Sequence, residues 1–289
     1  EFPIACQPIQ QLMPPLIQAL RGNQTLRKKL FQVEFLSSLA GETLVTLAYH
    51  RRLDEEWRDD ALELARDLGI SIVGRSRKQK EVLGADYITE ILPIDGRDYR
   101  YQQIEQAFSQ PNALVNTKMI EWARACAQAL KGDLLELYCG NGNFTLPLAE
   151  LFDEVIATEL AKSSVRAARQ NLIDNGIENV QMIRLSAEEV TQAMNGEREF
   201  RRLAELPTPL ADYELRTLFV DPPRAGLDPH TVSMAAAFDA VIYISCNPDT
   251  LVENLSELCA SHEIKRFALF DQFPYTDHME CGVLLQRKT

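Results

Sequence analysis

Leu134-Leu135-Glu136-Leu137-Tyr138-Cys139-Gly140-Asn141-Gly142-Asn143-Phe144 is the stretch whose reading decides the fold. Leu134–Leu137 reads as a buried strand, Gly140-Asn141-Gly142 as a tight turn, and Thr145–Leu151 as an apolar helix. Strand, glycine turn and helix make the first βα unit of an open α/β sheet. Glycine lets the backbone pass close beneath a ligand, where a Cβ would collide. An ordinary tight βα turn would look the same, because a bare Gly-x-Gly is a weak motif. Thr145 stands where a third glycine would mark a dinucleotide pyrophosphate site. The turn therefore suits a nucleoside, provided that an acid ends the next strand.

Outward from this turn, strands and helices alternate. The expected strands are Leu134–Leu137, Glu154–Thr158, Val180–Arg184, Leu218–Val220, Ala240–Ser245, Lys265–Phe270 and Cys281–Gln286. Only Asp271–Glu280 separates the last two, too short for a parallel crossover helix, so they should pair as an antiparallel hairpin. Five parallel strands closed by an antiparallel pair is the layout of the class I, Rossmann-like methyltransferases. This domain is expected over residues 108–289, entered by a helix that follows Phe108-Ser109-Gln110-Pro111-Asn112 and runs to about Leu130.

Residues 1–107 lack this rhythm and read as a smaller α+β domain. A helix over 7–21 is broken or started late by Pro14-Pro15. Phe31–Leu39 and Thr43–His50 suggest an antiparallel hairpin through Gly41. Asp54–Leu68 is a helix stopped by Gly69. Ile70–Gly74 is a short strand, and Val82–Ile91 and Tyr99–Ile104 are further strands around Asp95-Gly96. No βαβ unit is expected here.

With 289 residues and 46% apolar side chains, the chain can fill a sizeable core. No run reaches transmembrane length and no secretory signal opens the chain. It begins Glu1-Phe2-Pro3, without an initiator Met, and is expected to be an N-terminally truncated fragment. The cysteines at 6, 126, 139, 246, 259 and 281 form no C-x-x-C pair, and the histidines show no zinc spacing. No metal and no disulfide scaffold are expected; reduced thiols suit a cytoplasmic protein.

The net charge of −12 argues against a large basic nucleic-acid surface. The charge is uneven, however: residues 1–109 carry 14 basic and 16 acidic side chains, and the remainder 16 and 26. The basic residues bunch in Arg27-Lys28-Lys29, Arg51-Arg52 and Arg75-Ser76-Arg77-Lys78-Gln79-Lys80. If RNA binds, its phosphates belong on this first third; otherwise these short runs are solvated surface.

Ligands of open α/β sheets bind beyond the carboxyl ends of the strands. Strand one presents Tyr138, Gly140 and Asn143 there. Strand two presents Glu159, which can take both ribose hydroxyls of a nucleoside or, more plainly, offset a helix dipole. Ser186, Ala187 and Glu188 follow strand three, near an adenine edge. Turn and acid together favour S-adenosylmethionine over a nicotinamide nucleotide. Strand four ends in Asp221-Pro222-Pro223-Arg224-Ala225-Gly226, where two prolines freeze the loop. Similar Asp-Pro-Pro loops hold exocyclic amines in amino-group methyltransferases, usually followed by an aromatic residue rather than Arg224.

Strand five ends in Ser245-Cys246-Asn247-Pro248. Cys246 is either a small buried apolar residue or a nucleophile; Cys139, inside the glycine turn, is taken as structural. C5 of uracil is too poor a nucleophile to take a methyl group directly. A thiolate adding to C6 turns C5 into an enolate carbon, and a base must then remove the C5 proton. Glu280, between the last two strands, is the candidate base; alone it would read as a solvated loop acid.

Phe108-Ser109-Gln110-Pro111-Asn112, Leu137–Phe144, Asp221–Gly226, Ser245–Pro248 and His278-Met279-Glu280 together resemble the RNA 5-methyluridine methyltransferases, over nearly the whole chain. The tail from Leu269 to Leu285 is closest to the branch that methylates tRNA. The resemblance implies S-adenosylmethionine-dependent methylation of uridine C5 in the T-loop of tRNA, giving ribothymidine. It implies that Gln110, Tyr138, Gly140, Asn143, Glu159 and Asp221 bind the cofactor. Cys246 would be the nucleophile, Glu280 the proton acceptor, and Asp221 would also face the chemistry. The rRNA-modifying relatives carry a cysteine cluster for iron–sulfur; none is visible here, so no cluster is expected. The family has a further N-terminal segment ahead of Phe2-Pro3. The T-arm of tRNA is the expected partner, with no membrane and no obligate protein partner, and the chain is expected to be a monomer. The target uridine must be flipped out of its loop, and stacking side chains must replace its lost neighbours. Phe31, His50, Arg51 and Arg52 are candidates; alternatively Phe31 is core and His50 ends a strand. Two other functions remain open: methylation of a base amino group at Asp221-Pro222-Pro223, and an RNA-folding helper whose catalysis is secondary.

Overall fold

The computed structural model describes residue 2 and residues 4–288; Glu1 and Pro3 of the opening tripeptide lie outside the described residues. The chain forms two compact units. One runs to Ile91 and adds Gln102–Ala107; the other takes Leu92–Tyr101 and everything from Phe108.

In the first unit, α1 (Gln7–Gly22) and α2 (Gln24–Arg27) precede strands β1 (Leu30–Ser37) and β2 (Thr43–Tyr49). Helix α1 is continuous through Pro14 and Pro15, where a break was expected. Both prolines are exposed, so the carbonyls they leave unpaired can meet water. β1 and β2 form the expected antiparallel hairpin. Helix α3 (Glu55–Leu68) starts on Asp54, whose carboxylate accepts from the Trp57 N–H, and stops at left-handed Gly69. β3 (Ser71–Ser76) then pairs parallel to β2, so β2–α3–β3 is a βαβ crossover, which the sequence reading excluded. β1 hid this by pairing as a hairpin, and the alternating run Thr43–Tyr49 looks the same in either pairing. β4 (Gln79–Leu83) completes a sheet of order β1-β2-β3-β4. Trp57, Ala61, Val45, Leu47 and Ile72 form its core, with Leu16 and Leu20 of α1.

β5 (Tyr87–Ile94) and β6 (Arg97–Ile104) form a two-stranded ribbon. Gly84, at φ 101°, ends β4 and splits the single strand expected over Val82–Ile91. Asp95 and Gly96 turn the ribbon with positive φ, 48° and 84°. Leu92, Ile94, Tyr99 and Tyr101, next to that turn, belong to the core of the second unit, which is why residues 92–101 cluster there.

The second unit follows α4 (Ala113–Ala127) with β7 (Asp133–Leu137), α5 (Thr145–Ala149), β8 (Val155–Thr158), α6 (Lys162–Asp174), β9 (Val180–Ile183), α7 (Ala187–Met194), β10 (Leu215–Val220), α8 (Pro229–Ala235), β11 (Ala240–Ser245), α9 (Pro248–Leu258), β12 (His262–Phe270) and β13 (Glu280–Arg287). The sheet order is β12-β13-β11-β10-β7-β8-β9. β9, β8, β7, β10 and β11 are parallel, and β13 runs antiparallel to both β11 and β12. Helices α4–α6 cover one face and α7–α9 the other. Two buried faces require strands that are apolar throughout, as Ala240–Ser245 is. The order reverses beside β7, so its carboxyl end opens onto the crevice where such sheets bind ligands.

Candidate active site

The turn after β7 is built from left-handed residues: Tyr138 at φ 60°, Gly140 at 58° and Gly142 at 89°. A Cβ at Gly142 would lie 2.6 Å from Leu146, whereas one at Gly140 would meet nothing within 4 Å. Gly140 thus meets a backbone requirement and borders open space. Tyr138 holds the same conformation with a large side chain, a strain typical of functional positions. Cys139 is buried, and burial holds its thiol well above the ordinary range, so it is inert.

Glu159, beyond β8, ties the two strand ends together: its carboxylate accepts from the N–H of Gly140 at 3.1 Å and of Ala161 at 2.6 Å. Asn143 exchanges two side-chain hydrogen bonds with Asn116 of α4, at 2.8 and 2.9 Å. Gln110 accepts from Gln272 at 2.9 Å, and the Gln272 carbonyl oxygen is buried without a partner. Ser186 is committed to a capping box with Glu189 at the start of α7.

On the other side of β7 the ends of β10, β11 and β13 bring Asp221, Cys246 and Glu280 together. The antiparallel register pairs Ile244 with Gly282 and Ser245 with Cys281. Cys246 and Glu280 are the neighbours of that last pair, and the Glu280 charge reaches the Cys246 thiol. Glu280 is only 4% exposed, and one of its carboxylate oxygens has no partner. Burial pushes its carboxyl up to about 7. Burial, and then the charge of Glu280, push half-buried Asp221 up to about 8. The Cys246 thiol is raised by burial and then by Glu280 and Asp221, while Arg224 acts in the opposite direction. The side-chain amide of Asn247 donates to the Arg224 carbonyl at 3.0 Å, and Thr250 does so at 3.3 Å. These bonds fasten the Asp221–Gly226 loop to the loop that carries Cys246. Gly226 is required there: at φ 72°, its Cβ would meet Asn254 at 2.9 Å.

Sequence reasoning passed over three residues here. Glu136, 1% exposed on β7, has an unpartnered oxygen, and burial together with the Asp221 charge pushes it up to about 8. Its signal was an acid inside an otherwise apolar strand. Asn116 and Gln272 left no such signal, because tertiary packing alone brings them to Asn143 and Gln110.

In the first unit, Phe31, His50, Arg51 and Arg52 line one open groove of about 1060 Å³ with Arg75, Arg77 and Lys78. Phe31 is 65% exposed and is not core. Its ring meets that of His50 edge-on, with centroids 4.4 Å apart. Arg51 is held by the carbonyls of Thr25 and Lys28 at 2.8 and 3.1 Å. Buried Glu105 anchors the groove floor by pairing with Arg75 and with Lys80. Arg27-Lys28-Lys29 does not line the groove.

Among the described residues no helix is long and apolar enough to cross a membrane, and no group of three or more His, Cys, Asp or Glu could hold a metal ion. The strand order, the left-handed glycine turn after the first strand of the second unit and the acid after the next define a Rossmann-like methyltransferase. Residues 1–288 match the family model described as tRNA (Uracil-5-)-methyltransferase. The chain belongs to the tRNA (uracil-5-)-methyltransferase family. It is 56% identical over 293 residues to a protein of Vibrio parahaemolyticus named tRNA/tmRNA (uracil-C(5))-methyltransferase, covering 100% of this chain and 79% of that protein. A protein of the same name from Acinetobacter baylyi is 57% identical over 286 residues, covering 99% of this chain and 79% of its own length. The crystal structure of Pyrococcus abyssi tRNA (uracil-54, C5)-methyltransferase in complex with S-adenosyl-L-homocysteine has the same fold, with a TM-score of 0.67 at 21% identity. That match covers 88% of this chain, and this chain spans 59% of the length of that one.

Proposed function

We propose that the chain methylates C5 of a uridine in the T-loop of tRNA, with S-adenosylmethionine as donor, through a covalent bond between Cys246 and C6 of the ring. The observation that carries this reading is the end of the β11–β13 ladder, which brings Cys246 near the buried, half-unpartnered carboxyl of Glu280, beside Asp221. The names of the relatives extend the substrate class to tmRNA.

Residues of the second unit fit the donor. Open space beside Gly140 leaves room for a nucleoside, and Glu159 retains lone pairs for ribose hydroxyls. Tyr138 and Asn143 belong to the same turn, Gln110 is held by Gln272, and Asp221 offers a negative charge to a sulfonium. When bound, S-adenosylmethionine supplies an electrophilic methyl group on positively charged sulfur. The Cys246 thiolate adds to C6, and the C5=C6 electron pair moves toward C5 and the C4 carbonyl. C5 would then accept the methyl group that bound S-adenosylmethionine would supply, its sulfur keeping the bonding pair. The Glu280 carboxylate removes the C5 proton, the C5=C6 bond re-forms, and the thiolate leaves. Asp221, next to both, helps to hold the donor at the reacting edge. In the first unit, the Phe31–His50 pair offers an aromatic face to unstacked bases, and Arg51, Arg52, Arg77 and Lys78 offer charge to phosphates.

Incubation with T-arm RNA containing 5-fluorouridine and S-adenosylmethionine tests this reading. Fluorine at C5 cannot leave as a proton does, so a stable protein–RNA adduct is expected, lost in Cys246→Ala. Ribothymidine formed by Cys246→Ala would overturn it.

A further inference from the structure

The addition step needs a group that the reading above leaves out. When a thiolate adds to C6, the displaced π pair rests on C5 and on O4, the carbonyl oxygen conjugated with the breaking double bond. Negative charge therefore moves from sulfur to O4. Asp221 and Glu280, both beside Cys246, oppose charge at either place. A cation must be fixed within reach of both.

Arg224 is the cation that the Asp221–Gly226 loop carries beside the Cys246 corner, through the Asn247 bond to its carbonyl. It replaces the aromatic residue expected after Asp221-Pro222-Pro223. Its side chain is exposed, and among the described residues it pairs with no carboxylate. Its backbone is fixed with unusual thoroughness. Two prolines precede it, Asn247, the neighbour of Cys246, donates to its carbonyl at 3.0 Å, and Thr250 donates at 3.3 Å. The N–H of Gly226 closes the turn onto Pro223 at 2.8 Å. The charge of Arg224 reaches the Cys246 thiol and works against the two acids. A guanidinium stays charged at every working pH and offers several donors in one plane. Resting on the covalent reading above, we propose that Arg224 is a catalytic residue of the addition step, holding the Cys246 thiolate and donating to O4 of the uracil as charge arrives there.

Bond by bond, sulfur joins C6, the C5=C6 pair passes to the C5–C4–O4 enolate, and Arg224 gives up no proton. Its contact with O4 strengthens as the adduct forms and weakens when C5 takes the methyl group, so it favours the charged state over the ground state. Exchange of the uridine C5 hydrogen with solvent reads this step without the donor, because addition and reversal label C5.

The test compares the wild type with Arg224→Gln and Arg224→Lys, each checked for an unchanged thermal midpoint. Measured are the rate of C5-hydrogen exchange in T-arm RNA, the rate of 5-fluorouridine adduct formation against pH, and RNA affinity in a Cys246→Ser background. Arg224→Gln should slow exchange and adduct formation about 100- to 1000-fold, the usual loss for one donor to a developing oxyanion. Its adduct pH profile should move to higher pH, and Arg224→Lys should restore part of the rate. RNA affinity should change less than about threefold, since one phosphate contact is not at stake. Exchange as fast as in the wild type, or a loss explained wholly by weaker RNA binding, would overturn the role. Absence of an adduct in the wild type itself would instead sink the covalent reading on which it rests.

Discussion

Cys246 and Glu280 flank the Ser245–Cys281 pair that ends the antiparallel ladder of β11 and β13, close enough for the Glu280 charge to raise the Cys246 thiol. Two residues 34 positions apart are thereby brought to one sheet edge by the backbone ladder that ends at their neighbours. In the proposed mechanism the two groups have separable duties, one to make the bond to the ring and the other to let it break.

The first prediction follows from that separation. Glu280→Gln keeps shape and polarity but cannot accept the C5 proton. It should stall after methyl transfer and accumulate a protein–RNA adduct with ordinary uridine, while product formation falls about 100- to 10,000-fold. Cys246→Ala should form neither adduct nor product. Denaturing gels with labelled RNA distinguish the two.

Activity should rise with pH. Glu280 must be ionised to act, and burial has pushed it up to about 7. Cys246 must also be ionised, and its thiol is raised above the ordinary range. Single-turnover rates should therefore climb through about 7 and keep climbing on the alkaline side. The Glu280→Gln adduct should lose the first rise and keep the second.

Stability should run the other way. Glu136 has an ordinary value of 4.5 and is pushed up to about 8 when folded. The folded state therefore binds this proton more tightly than the unfolded chain does. The resulting stability is complete below the unfolded value and is lost as pH rises through about 8, a change on the order of 5 kcal/mol. Thermal midpoints should fall between about pH 5 and 8, and Glu136→Gln should flatten that slope. Glu280 and Asp221, raised likewise, leave a residual slope in the variant.

Gly282 lies between Cys281 and Val283 on β13, where an added Cβ would sit 2.7 Å from the Trp122 ring. Gly282→Ala should cost about 1–3 kcal/mol by overpacking. Urea denaturation would report the loss, and activity should fall with it, since β13 aligns Glu280 with Cys246.

Much of this site was legible because its signals are local. The glycine turn, the Asp221-Pro222-Pro223 loop and the Ser245–Pro248 corner each announce a strand end within a few residues. The nine residues between β12 and β13 were too few for a crossover, which fixed the hairpin and hence the position of Glu280. What escaped depends on tertiary packing. Glu136 stood out as an acid in an apolar run, but the neighbouring Asp221 charge that shifts it comes from another strand. The β2–α3–β3 crossover was hidden because the β1–β2 hairpin explained β2 already. The groove joins residues 31, 50–52 and 75–78, which no window of sequence brings together.

In that groove, Phe31→Ala should weaken T-arm RNA binding by about 1–3 kcal/mol, the worth of one base stacked on an aromatic ring. Arg52→Gln and Lys78→Gln should each reduce the salt dependence of binding by about one phosphate contact. Filter binding at several salt concentrations separates the two effects. Loss of salt dependence in Phe31→Ala would assign the aromatic pair to structure rather than to stacking.

The most direct measurement is to digest the 5-fluorouridine adduct and locate the modified residue by mass spectrometry. The expected result is a nucleotide on the peptide carrying Cys246, bonded through sulfur, together with a transferred methyl group. A nucleotide found on Cys139 or Cys281, or ribothymidine made with no protein-bound nucleotide at any stage, would contradict the mechanism.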